Sequence, residues 1–294
     1  MPWLQLRLTT TQPHAESIGD AFMETGALSV TFMDAEDVPI LEPAPGETPL
    51  WQNVSMMALF DAETNTQFIL DRWAAHPLSE HSNNEKFELL EDKDWEREWM
   101  DRFEPMQFGE NLWVCPSWKP VPNPDAVNVL LDPGLAFGTG THPTTSLCLK
   151  WLAETDLNGK TVIDYGCGSG ILAIAALKLG AKQVYAVDID PQAITATLDN
   201  AKRNGVNDER LKVGLPDSVD GISSEVVVAN ILAGPLKELA EQISAHCESH
   251  GKLALSGLLD TQAEEILCHY QQWFDMEPAA FEDEWSRLSG VKRA

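Results

Sequence analysis

At 294 residues and 32.5 kDa the chain exceeds one typical domain of roughly 150 residues, so two domains, each able to bury its own core, are expected. Hydrophobic residues at 44% and charged residues at 22% exclude wholesale disorder and fibrous repeats. The longest apolar run, Ile171 to Leu177, is far short of the roughly 18 residues that cross a membrane. The 20 Lys and Arg against 46 Asp and Glu leave a formal net charge of −26, which argues against a nucleic-acid binder that tracks phosphates and for a cationic partner.

Trp3 to Leu8 alternates apolar and polar residues as a strand does. The amino terminus lacks the basic start and long apolar core of a signal peptide, so the cytoplasm is the expected compartment. His14 to Glu24 has a helical pattern that Gly26 can end. Leu28 to Met33, Val54 to Phe60 and Phe87 to Leu90 read as strands, and Asn65 to Ala75 as a helix stopped by Pro77. The order β-α-β-β-α-β predicts a small α+β, ferredoxin-like domain over residues 1–93. It lies in the more acidic part of the chain, since residues 1–110 carry a net −16 and residues 111–294 a net −10. Residues 94–125 read as a linker: a helical stretch from Asp94 to Phe103, then a Pro-rich hinge at Pro116, Pro120, Pro122 and Pro124.

From residue 126 to 294 strands and helices alternate. Strands are expected at Val127 to Leu131, Thr161 to Tyr165, Gln183 to Val187, Glu225 to Ala229 and Lys252 to Leu255. Helices are expected at Thr144 to Glu154, Ile171 to Leu179, Pro191 to Asn204, Pro235 to Ser249 and Thr261 to Trp273. Runs such as Val226-Val227-Val228 are apolar without alternation, as in a parallel sheet covered on both faces. The second domain is therefore an α/β, Rossmann-like, doubly wound sheet.

The most informative run is Thr161-Val162-Ile163-Asp164-Tyr165-Gly166-Cys167-Gly168-Ser169-Gly170-Ile171-Leu172. A strand ends in an acid, a glycine loop follows, and a helix opens directly behind it. Gly166, Gly168 and Gly170 leave the backbone open to a ligand, with helix amides facing any anionic group. Asp188, at the end of the next strand, sits where an acid can hold two ribose hydroxyls. The dinucleotide fingerprint G-x-G-x-x-G would need a glycine where Ile171 stands, so NAD is disfavoured. Asp164 would face a pyrophosphate unfavourably but meet an ammonium well. S-adenosylmethionine, with an ammonium, a sulfonium and no phosphate, fits both acids.

Asp164 to Gly170 with Asp188 is similar to motif I of class I methyltransferases. A longer resemblance joins the run Asp132-Pro133-Gly134-Leu135-Ala136-Phe137-Gly138-Thr139-Gly140-Thr141-His142-Pro143-Thr144-Thr145 to motif I and to Asn230-Ile231-Leu232-Ala233. Together these resemble the PrmA family, bacterial methyltransferases of ribosomal protein L11, over essentially the whole chain. The resemblance implies an amino-terminal substrate-recognition domain, a linker and a methyltransferase domain, with S-adenosylmethionine as cofactor. It implies trimethylation of the α-amino group and lysine side chains of a basic ribosomal protein; the acidic net charge and the short apolar runs add the expectation of no direct nucleic-acid or membrane binding. It implies that Gly166 and its loop contact the methionine part, Asp188 the ribose, and Thr145 and Asn230 further cofactor or substrate groups. Phe137 and Thr139 are candidates to cover the cofactor, and Asn230 is the candidate to orient the acceptor amine.

Each assignment has a plainer rival. Asp188 or Thr145 can simply cap the following helix, and Asn230 can be a strand-end turn residue. His246 and His250, four apart on an expected helix, suit a metal only with a third ligand that is not evident. The five cysteines form no Cys-x-x-Cys pair, so neither a disulfide framework nor a zinc ribbon is implied. An amide-nitrogen methyltransferase would carry Asn-Pro-Pro-aromatic where Asn230-Ile231-Leu232-Ala233 stands. A methyltransferase for another protein or a small-molecule amine, and a cofactor-binding ribosome-assembly module without turnover, remain alternatives.

Overall fold

The computed structural model describes residues 2–36, 38, 48–90, 103–132, 138, 140–206 and 209–294. The chain divides into two compact units, Met1–Met100 and Asp101–Ala294.

In the first unit β1 (Trp3–Thr11), α1 (Gln12–Thr25), β2 (Ser29–Asp34), β3 (Asn53–Asp61), α2 (Thr66–Ala74) and β4 (Asn83–Leu90) follow the expected order. The strands form an antiparallel sheet in the order β2-β3-β1-β4, the ferredoxin-like split βαβ arrangement. Alternation decides which face is buried. Leu4, Leu6 and Leu8 pair with Phe60, Ala58 and Met56, and this face packs on Ile18 and Phe22 of α1 and Ile69 and Trp73 of α2. Gly26 ends α1 in the left-handed region at φ 108, its N–H donating to the Met23 carbonyl. Of the expected linker helix, residues 94–102 lie outside the described residues.

The second unit begins with strands that sequence reading assigned to the linker. β5 (Met106–Phe108) and β6 (Leu112–Cys115) form a small sheet with β7 (Val127–Leu130). Pro116 to Pro124 therefore join two strands that pair directly with each other in parallel, a connection inside this unit and not a hinge at its border. Beyond it come α3 (Pro143–Glu154), β8 (Thr161–Tyr165), α4 (Ile171–Lys178), β9 (Gln183–Val187), α5 (Pro191–Arg203), β10 (Leu211–Gly214) and β11 (Ser224–Asn230). The chain ends with α6 (Ala233–Glu238), α7 (Ala240–Ala245), β12 (Cys247–Leu259), α8 (Ala263–Tyr270), β13 (Phe274–Met276), β14 (Ala280–Glu282) and β15 (Trp285–Lys292).

The large sheet runs β10-β9-β8-β11-β12-β15-β13, with β14 on β15. Strands β8 to β12 are parallel, and β13 to β15 add an antiparallel edge. Within β11, Val226 and Val228 enter the core with α3 and α4, while Val227 and Ala229 enter the core with α6 to α8. That double burial explains the unalternating valines. The expected helix Pro235 to Ser249 is two short helices, because Cys247 already pairs with Ser224 in the parallel ladder and the strand must begin there. His246 thus ends α7 and His250 lies in β12 at φ 64, so the two do not share a helix face. Among the described residues no group of three or more His, Cys, Asp or Glu could hold a metal.

Candidate functional site

The order of β8, β9 and β11 creates the site. The chain leaves β8 toward β9 on one side and returns as β11 on the other, so a crevice opens at their carboxyl ends. A cavity of about 500 Å³ occupies it. Gly166, Gly168 and Asp188 line one part, and Asn230, Gly257, His142 and Trp285 another.

The β8–α4 loop is held from both sides. Gly166 and Cys167 both donate their N–H to the Val187 carbonyl at the end of β9, at 2.8 and 3.0 Å. Gly170 begins α4 at φ 77, and a Cβ there would lie 2.7 Å from Thr197 Cγ2. Glycine satisfies both constraints but brings no capping side chain. Asp164 supplies the cap instead: from within β8 its Oδ2 accepts the Ala173 N–H in the first turn of α4 at 3.0 Å. Asp164 is fully buried, its Oδ1 has no partner, and burial raises its carboxyl to about 7, with the Asp188 charge adding to the rise. The structure therefore places Asp164 behind the loop, not on the cavity wall, and Gly170 with it.

Asp188 is placed differently. Its Oδ2 accepts the Gly168 N–H at 2.9 Å and its Oδ1 accepts the Asp190 N–H at 3.0 Å, which fixes the carboxylate at the cavity wall. The cap of α5 is Asp190, which accepts the Gln192 N–H at 2.8 Å, so helix capping does not account for Asp188. Next to it Ile189 is 83% exposed and also lines the cavity, a bare apolar side chain in a polar turn.

At the other end Asn230 closes β11. Its Nδ2 donates to Thr145 Oγ1 at 3.3 Å, and its Oδ1 is buried without a partner. Thr145 is fully buried behind Asn230. The cap of α3 is His142, whose Nδ1 accepts the Thr144 N–H at 3.4 Å, so the capping rival fails for Thr145 too. Burial holds the His142 imidazole below its ordinary range, and it meets the Trp285 ring edge-on at 4.6 Å. Phe137 and Thr139 lie outside the described residues.

Sequence reasoning brought four residues to the wall, Gly166, Gly168, Asp188 and Asn230. The lining residues to which it gave no role include Tyr165, Ile231, Pro235, Gly257 and Trp285. Gly257 had no motif around it, yet a Cβ there would meet the Ile231 carbonyl oxygen. The residues present suit S-adenosylmethionine: a fixed carboxylate for a diol, an apolar flank for a base, a glycine loop without a phosphate-binding lysine, and an orphaned amide oxygen able to accept an N–H.

The comparisons agree with this geometry. The family model described as "Ribosomal protein L11 methyltransferase (PrmA)" matches residues 2–293. The chain is similar to the ribosomal protein L11 methyltransferases of Vibrio parahaemolyticus, 59% identical, and of Aliivibrio fischeri, 58% identical, each over 100% of both chains. It is also similar to the crystal structure of ribosomal protein L11 methylase from Lactobacillus delbrueckii subsp. bulgaricus. The TM-score is 0.59 and the identity 31%, covering 65% of this chain and 100% of that one. A family match across nearly every residue, on a class I methyltransferase sheet, means that this chain belongs to the PrmA family of ribosomal protein L11 methyltransferases.

Proposed function

We propose that this chain transfers methyl groups from S-adenosylmethionine to amines of ribosomal protein L11, trimethylating its α-amino group and lysine side chains in the cytoplasm. The observation that carries the site assignment is Asn230, an amide pinned by Thr145 with its carbonyl oxygen buried, unpartnered and at the cavity wall.

When bound, S-adenosylmethionine supplies an electrophilic methyl group on a sulfonium whose departure leaves a neutral thioether. The chain's task is then to hold donor and acceptor aligned about 3 to 3.5 Å apart. Asp188 would hold the ribose hydroxyls and Gly166 and Gly168 would leave room for the methionine part against the backbone, while Asp164 and Gly170 shape that loop from behind. Asn230 Oδ1 accepts an N–H of the unmethylated or monomethylated acceptor, turning its lone pair toward the methyl group; the neutral dimethylated amine has no N–H, so for the third transfer the cavity wall alone orients it. The acceptor must be neutral to react, and the largely apolar cavity disfavours its charged form. The neutral His142 adds no positive charge against it.

The acidic first unit is read as the recognition domain for a basic protein, with complementary charge speeding encounter. The test is incubation with labelled S-adenosylmethionine and separated ribosomal proteins. Label on L11 supports the reading. Label only on small-molecule amines, or binding without turnover, rejects it in favour of a small-molecule methyltransferase or an assembly module.

A further inference from the structure

Trp285 reaches the cavity from β15, of the cavity-lining strands the farthest from Asp188. Between them the sheet runs β9-β8-β11-β12-β15, four inter-strand steps that span about 19 Å. With the ribose at Asp188, the Trp285 end is the side open to an acceptor. Trp285 stands in the β14–β15 hairpin directly opposite Glu282, and the hairpin is fastened to α3 through that pair. Ser146 Oγ lies 3.0 and 2.9 Å from the two Glu282 carboxylate oxygens, and Lys150 Nζ donates to one of them at 2.6 Å. His142, Ser146 and Lys150 follow at i, i+4 and i+8, so one side of the helix meets Trp285 and Glu282 in turn. Glu282 itself does not line the cavity.

We propose that Glu282 is a positioning residue for the methyl acceptor: its carboxylate latches the hairpin to α3 and thereby holds Trp285 as the acceptor-side wall. The inference rests on the methyltransferase reading above and deepens it. The two fastenings differ in weight. Ser146 is buried, so losing its partner leaves a hydroxyl orphaned. Lys150 and Glu282 are 45% and 31% exposed, and solvent screens their attraction. The hydroxyl bond is the principal one, and a glutamine, which keeps an acceptor oxygen, preserves it.

The experiment compares E282A, E282Q, S146A and K150M in three measurements. These are KM for L11 at saturating S-adenosylmethionine, the Kd for S-adenosylmethionine by calorimetry, and fluorine NMR of fluorotryptophan-labelled protein. The Trp285 resonance is assigned among the ten tryptophans by W285F. E282A is expected to raise KM about tenfold, keep the donor Kd within about twofold and move the Trp285 resonance; S146A acts in the same direction, while E282Q and K150M stay within about threefold of wild type. An unchanged KM in both E282A and S146A, an equal loss of donor affinity, or an unmoved Trp285 resonance would overturn the proposal. If wild type leaves L11 unmethylated, the acceptor assignment fails together with the proposed function. The Trp285 resonance then still decides the latch, a shift in E282A supporting it and no shift rejecting it.

Discussion

Asn230 and Thr145, 85 residues apart, meet through one hydrogen bond in which the amide Nδ2 of Asn230 donates to the threonine hydroxyl at 3.3 Å. That bond decides which end of the amide is left unpartnered. One N–H of the amide is spent on buried Thr145, which anchors the nitrogen side, and the acceptor oxygen remains for whatever enters the cavity.

Removing either partner should have distinct kinetic effects. Asn230→Ala deletes the acceptor oxygen and is expected to lower kcat for methyl transfer by roughly 10²-fold. Thr145→Val leaves the amide in place but free to rotate, and a loss of about tenfold is expected, with Thr145→Ser within about threefold of wild type. Steady-state kinetics with the protein acceptor checks all three.

Asp188 and Asp190 are two residues apart, yet their substitutions should separate cleanly. Asp188→Ala removes the carboxylate held by Gly168 and Asp190 at the wall, and the calorimetric Kd for S-adenosylmethionine is expected to rise by roughly 10- to 100-fold. Asp190→Ala removes the cap on α5, so it should cost about 1 kcal/mol in urea denaturation and leave that Kd within about twofold.

Asp164 predicts a pH dependence of stability. Its carboxyl titrates near 7 when folded against 3.8 as a free side chain, so between those values the folded state binds the extra proton. Its stabilising contribution is complete below about pH 4 and lost as pH rises through 7, by on the order of a few kcal/mol. Urea denaturation at pH 5 and pH 8 should show a smaller difference for Asp164→Asn than for wild type, because the amide does not ionise.

Two glycines against Ile231 should tolerate alanine unequally. At Gly166 (φ 81) the added Cβ meets the γ2 methyl of the Ile231 side chain, whereas at Gly257 (φ 87) it meets the Ile231 backbone at the carbonyl oxygen. A side chain can turn away and a backbone cannot. Gly166→Ala is expected to cost the left-handed penalty of about 1–2 kcal/mol plus a contact that Ile231→Ala relieves; Gly257→Ala should cost more and resist that rescue. Thermal denaturation of the singles and doubles tests the cycle.

Motif I was legible because its chemistry is local. Strand β8, the three loop glycines and α4 are consecutive, and each answers to backbone geometry that a short window reveals. The first unit was legible for a related reason: the apolar face of β1, β3 and α1 is written at period two or at helical spacing, so its order of elements matched the structure. The strands β5 and β6 were missed because each is short and flanked by prolines and glycine, and only pairing with one another and β7 makes them strands. The antiparallel edge was missed in the same way, since β13 to β15 carry little alternation and owe their conformation to partners already placed.

By itself the sequence determined the α/β class, the glycine loop between β8 and α4, the acid after β9 and, by resemblance, the family, because these depend on residues close together in the chain. Only the tertiary structure decided what each candidate does with its polar atoms. It turned Asp164 inward as a helix cap, held Asp188 outward, tied Asn230 to Thr145, and brought Gly257 and Trp285 to the same cavity. The physical reason is that a buried polar group takes its role from the partners that satisfy it, and those partners come from strands and helices distant in sequence.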